Sequence, residues 1–132
     1  MDYYLNPDNE YQRLEDEYLK YGRLIICVDY DDTLFDFHKL GRTYDNMIDL
    51  LKRWNDFSDI IINTGNGEDQ YESIKQYCKE HGLAIYGVNC ESRIKVSGPK
   101  IFASVYLDDR GGLAQTYNML LKLIDKIENK TI

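Results

Sequence analysis

A chain of 132 residues is long enough for one hydrophobic core and too short for two independent ones. Its 16 basic residues against 23 acidic ones give a net charge of −7, which repels polynucleotides and anionic membrane surfaces. Apolar residues make up 43% and charged residues 30%, a globular balance, and no apolar run nears the roughly 18 residues of a membrane span.

The three cysteines, Cys27, Cys78 and Cys90, are odd in number, far apart and without a CxxC pair. His38 and His81 lie away from any cysteine group, so neither a zinc site nor a disulfide framework is expected. Cys27 sits inside an apolar run, where it reads as a small buried hydrophobe. The first twenty residues are acidic and polar, unlike a secretory signal. Reduced thiols and that N-terminus make a cytoplasmic location the expectation.

In chain order, Tyr11, Leu14, Tyr18 and Tyr21 recur at helical spacing over residues 8–21, with Asn6 or Asp8 as caps around Pro7 and Gly22 as the stop. This helical extension covers residues 1–22, and the core domain runs over 23–132. "RLIICVD" is nearly unbroken in its apolar character, as a strand buried on both faces requires. An acidic loop follows, and then "TYDNMIDLLKRWND" places Tyr44, Met47, Ile48, Leu51 and Trp54 on one helical face. "DIIINTGN" predicts a second buried strand stopped by Gly65. "EDQYESIKQYCKEHG" predicts a helix with Tyr71, Ile74, Tyr77 and Cys78 inward and Gly82 closing it. "LAIYGV" predicts a third strand, residues 89–100 a polar loop, "IFASVYLDD" a fourth strand, and "GGLAQTYNMLLKLIDKIENK" the last helix.

Apolar strands alternating with amphipathic helices predict one α/β domain over residues 1–132, with a mainly parallel sheet covered on both faces. In such sheets ligands bind beyond the carboxyl ends of the strands. Those ends carry Asp29 and Asp31, then Thr64, then Lys100 just before the fourth strand and Asp108 with Asp109 after it. The third strand ends in Val88-Asn89, which offers no evident reactive group.

Carboxylates gathered on one rim repel one another unless a cation intervenes. An all-oxygen donor set favours a hard divalent ion, magnesium first, which keeps positions for water or phosphate oxygens. Within such a site an aspartate can attack phosphorus, and a second one two residues on can protonate the leaving oxygen and then activate water. Lys100 would neutralise the transferring group, and Thr64 would hydrogen-bond its oxygens. Asp32 and Asp36 read as surface or turn residues. His38 lies in the loop after the first strand, either as a substrate contact or on the surface.

These motifs resemble the haloacid dehalogenase (HAD) superfamily of phosphohydrolases. "DYDDT" matches its DxDxT signature, and the strand ending in Thr64, the isolated Lys100 and "YLDD" follow like its later motifs, in order over about residues 24–125. The resemblance implies a Rossmann-like (HAD-type) three-layer sandwich, with Asp29 as nucleophile and magnesium ligand, and Asp31 as general acid and base with its backbone carbonyl on the metal. It implies Thr64 and Lys100 as phosphoryl-binding residues, Asp108 as a direct metal ligand and Asp109 as a water-mediated or orienting one. Lys95 is the alternative to Lys100, and Arg110 either meets substrate or pairs with Asp109. Asp32 departs from the glycine that many members carry, which puts the local turn geometry at issue. The short gaps after Thr33 and after Thr64 leave room for a flap but not for an inserted cap domain.

The function expected is a magnesium-dependent phosphomonoesterase acting on a small-molecule or exposed phosphomonoester, with Mg2+ as cofactor. A nucleotidase or a nucleic-acid-end phosphatase lies within that class, although the acidic charge disfavours a polynucleotide. The alternatives are a phospho-receiver-like domain and a non-catalytic binding or assembly protein on the same fold. Membrane association is not expected, and an oligomer remains open.

Overall fold

The computed structural model describes residues 1–132. The first helix, α1, spans Pro7–Tyr21. Asn6 caps it by accepting the Asp8 N–H at 3.0 Å, and Pro7 occupies the first turn, where no amide partner is needed. Four strands follow, β1 (Leu24–Asp29), β2 (Ser58–Asn63), β3 (Ile85–Val88) and β4 (Val105–Leu107), interleaved with α2 (Asp45–Trp54), α3 (Tyr71–Glu80) and α4 (Leu113–Glu128). The sheet is wholly parallel in the order β3-β2-β1-β4, compatible with a Rossmann-like arrangement. No helix is long and apolar enough to cross a membrane.

Side-chain alternation along the strands sorts the core into two layers. Leu24, Ile26 and Val28 of β1 join Ile60 and Ile62 of β2 in a cluster that takes in all four helices, through Leu14, Trp54, Ile74 and Leu120 among others. Trp54 meets Tyr18 of α1 edge-on and donates its indole N–H to the Leu120 carbonyl at 3.2 Å. The N-terminal helix is therefore packed into the common core, with Leu14 fully buried. The intervening residues Ile25, Cys27 and Ile61 face the other way and are covered by Cys90, Ile101, Phe102 and Ala103.

That second face was expected to carry helices; an irregular segment, residues 89–104, covers it instead. Handedness supplies the reason. The steps from β1 to β2 and from β2 to β3 run in one direction with their helices on one face. A right-handed return from β3 past β2 and β1 to β4 must then cross the opposite face. Gly87 marks how closely the segment approaches, because a Cβ there would lie 2.5 Å from Cys90 Sγ. The same demand shortens the fourth strand, expected over residues 101–109, to three residues, since 101–103 peel away to cover Cys27.

The segment is tied down electrostatically at Asp59, which is 6% exposed and whose carboxylate takes both Arg93 and, at 3.1 Å, Arg23. Arg93 Nη2 donates to it at 2.9 Å, so the contact with Arg93 is two-pronged. Asp59→Ala is expected to cost about 2 kcal/mol of stability, less than a fully buried pair because both guanidinium groups rehydrate. Arg93→Ala is expected to cost less, since Arg23 still serves the carboxylate. Urea unfolding of the two variants checks this; an unchanged midpoint for Asp59→Ala would refute it.

Candidate active site

Register brings the distant acids together. Val28 of β1 pairs with Leu107 of β4, so the next residues, Asp29 and Asp108, emerge side by side from neighbouring strand ends. The strand order also reverses here, with β2 and β3 to one side of β1 and β4 to the other, and such a reversal is where open α/β sheets bind ligands. One carboxylate oxygen from each of Asp29, Asp108 and Asp109 lies within 4.8 Å of the others. Three oxygen donors so arranged, with no histidine or thiol among them, fit a hard divalent cation.

Without a cation the cluster is strained electrostatically. Burial pushes the Asp29 carboxyl up to about 7, helped by its hydrogen bond with Asp109 and the charges of Asp108 and Asp109. The Thr33 hydroxyl opposes the shift from 3.3 Å, but it also stands 3.4 Å from Asp109 and has only one hydrogen to give. Asp108 is further held by the Arg110 backbone N–H at 2.9 Å.

Asp31 is not part of this triad. Its carboxylate accepts from Asn66 Nδ2 at 3.3 Å, and burial, more than any neighbouring charge, raises its pKa. Thr64 is buried, and its hydroxyl oxygen accepts from the Asn66 backbone at 3.1 Å and side chain at 2.9 Å. Asn66 thus links Asp31 to Thr64, a role that sequence reasoning did not assign. Asn89 was also passed over. It adopts φ 48° and clasps the Thr64 backbone from both sides, taking its N–H at 2.8 Å and giving to its carbonyl at 2.7 Å. The only sequence signal for either was an amide residue at a strand end, which is too common to single out.

The lysines behave differently from the acids. Lys100 is exposed, with its ammonium 5.4 Å from the centre of the Tyr106 ring, and no ion pair joins it to Asp29, Asp108 or Asp109. Lys95 is paired with Glu91 at 2.8 Å. Arg110 is exposed and makes no ion pair with Asp109.

The loop after β1 folds into a flap over residues 30–44. Asp32 sits at φ 61°, the left-handed conformation that a glycine would adopt without strain and that aspartate tolerates better than most residues. Its carboxylate turns out to His38 at 3.1 Å. Asp36 accepts the backbone N–H groups of Leu40 and Gly41, at 3.2 and 2.8 Å, and so acts as a turn residue. Phe35 stacks on Tyr30, Tyr77 meets both edge-on, and the Tyr77 hydroxyl donates to the Leu34 carbonyl at 2.8 Å. These contacts anchor the flap on α3.

No family model matches the chain, and neither a curated protein nor a solved structure shows a significant match. The chemistry of the site therefore rests on its own geometry.

The sign of the Asp29 shift yields a stability test. Its proton leaves near pH 4 in the unfolded chain but is held to about 7 in the fold. This group therefore favours folding in acid, and that contribution is lost as pH rises through about 7. Asp29→Asn is expected to raise the melting temperature of the metal-free protein at pH 8 by roughly 3–6 °C and to flatten its fall between pH 5 and 8. Thermal melts in chelator decide it, and a lowered melting temperature would overturn the reading.

Proposed function

We propose that the chain is a magnesium-dependent phosphomonoesterase that works through an aspartyl phosphate on Asp29. One observation carries the reading: the acids divide into three that gather at the switch point and one, Asp31, that stands apart on Asn66. A solvated acidic loop has no reason to divide in this way. The motif order that resembles the HAD superfamily supports the same assignment.

Asp29, Asp108 and Asp109 would hold the magnesium ion, which when bound offsets their mutual repulsion and the charge of the phosphoryl group. An Asp29 oxygen forms a bond to phosphorus as the bond from phosphorus to the leaving oxygen breaks, and Asp31 gives its proton to that oxygen. In the second half Asp31 takes a proton from water, whose oxygen bonds to phosphorus and displaces the Asp29 carboxylate. Burial raises the pKa of Asp31, the direction that suits a group required to donate a proton. Thr64 accepts two hydrogen bonds at its hydroxyl oxygen and donates none within the protein, so its hydrogen is free for a phosphoryl oxygen. Of the two lysines, Lys100 has no carboxylate partner, which makes it the ammonium available to the transferring group.

The receiver-like alternative is disfavoured by sheet order. Flavodoxin-like sheets place the third strand beside the first, whereas here β3 lies outside β2.

With magnesium, the purified protein is expected to release phosphate from acetyl phosphate or a generic aryl phosphate. Asp29→Asn should lower kcat by at least a thousandfold and Asp31→Asn by about a hundredfold or more. Undiminished turnover in Asp29→Asn would remove it as nucleophile. Stabilisation by magnesium without phosphate release from any ester would favour a binding role instead.

A further inference from the structure

A cavity of about 380 Å3 opens directly beside Asp31, between the flap and α3. Resting on the phosphatase reading, in which Asp31 protonates the leaving oxygen, this cavity is where the leaving group must lie. Its walls are therefore the part of the molecule that selects a substrate.

Those walls combine flat aromatic surface with unfilled amide groups. Phe35 lies on Tyr30 with ring planes 8° apart and centroids 5.1 Å apart, and Tyr77 buttresses the pair edge-on, so the platform is rigid. Phe37 stands at the mouth, 53% exposed, and packs only against His38 among aromatic neighbours. Around this surface stand Asn66, Gln70 and Gln76. Each amide nitrogen is engaged within the protein: Asn66 to Asp31 and Thr64, Gln70 to Asp69, and Gln76 to Glu80. Each amide oxygen has no donor within the protein, so the residues lining this aromatic-walled cavity include three amides, two of them on exposed residues, with an acceptor to offer.

The occupant that uses both features is a planar heterocycle with N–H groups on its edge. A simple aryl group would leave the acceptors unpaired, which costs binding. A sugar alone would leave the aromatic surface unused. We propose that the cavity beside Asp31 is a nucleoside pocket and that the substrates are nucleoside monophosphates, the base stacking on Phe37 and Phe35 and its edge donating to Asn66, Gln70 and Gln76. The net charge of −7 fits a mononucleotide better than a polynucleotide, since a short anion needs only the local site and not a basic track.

The test has two arms. With magnesium, kcat/KM for nucleoside 5′-monophosphates is compared with that for ribose 5-phosphate and for benzyl phosphate, whose alcohol is no better a leaving group. The expected preference is at least tenfold over both, reduced about tenfold by Phe37→Ala and reduced again by Gln70→Ala, the range expected for loss of one base stack or one amide contact. In the second arm, calorimetry follows binding of a nucleoside monophosphate to Asp29→Asn and to the double variant with Phe37→Ala. Binding that weakens about tenfold in the double variant supports the pocket even if no ester is hydrolysed, in which case only the catalytic reading falls. Equal cleavage of ribose 5-phosphate and nucleotides, or nucleotide binding indifferent to Phe37→Ala, overturns the pocket and leaves the phosphatase reading standing.

Discussion

The pairing of β1 with β4 is the constraint on which the rest of the site depends. β1 is hydrogen-bonded on both sides, to β2 along its whole length and to β4 from Ile26 to Val28. A slip of one residue between β1 and β4 would turn Val105 and Leu107 out of the helical core and part Asp29 from Asp108. Packing and chemistry are thus fixed by one register. Because β4 is only three residues long, that register leans on its neighbours. Ser104 extends the contact, with its hydroxyl oxygen accepting the Ile25 N–H at 2.9 Å and its own N–H donating to the Ile25 carbonyl at 2.7 Å.

Holding three carboxylates together at two neighbouring strand ends works against folding, and the surroundings show how that cost is borne. The fold places the acids at the edge of a core whose β1 residues before Asp29 are all buried, so the destabilised group sits where the scaffold is strongest. The loops around it are held by side-chain to backbone bonds as well as by the aromatic contacts of Tyr30 and Phe35 with Tyr77. Asn89 grips Thr64, Asp36 closes the flap turn, and Arg110 supplies a backbone N–H to Asp108.

The back of the sheet follows a different logic. With helices on one face only, residues 89–104 carry the return crossover, and their apolar residues Ile101, Phe102 and Ala103 close over Cys27 and Ile61. Lys100 lies on this segment, beside Tyr106 rather than within the acid cluster. The two halves of the expected phosphoryl site are therefore held by different means, the acids by strand register and the lysine by an irregular crossover.

Much of this was legible in the sequence. Helical spacing placed α1, α2, α3 and α4 to within a few residues, and Asn6, Gly22 and Gly82 acted at helix ends as their chemistry requires. Apolar runs located β1 and β2, since a strand buried on both faces must be apolar throughout. The acids Asp29, Asp108 and Asp109 could be named as partners although seventy-nine positions separate the first two. Three matters were left to the tertiary structure: the sheet order, the non-helical cover of the second face, and the amide residues Asn66 and Asn89 that brace Thr64. Each depends on contacts between segments remote in sequence. Local pattern records which residues prefer burial and which end a helix, but strand order and handedness arise only when the whole chain closes on itself. An asparagine shows its role only once the backbone it must hold has been brought within 3 Å.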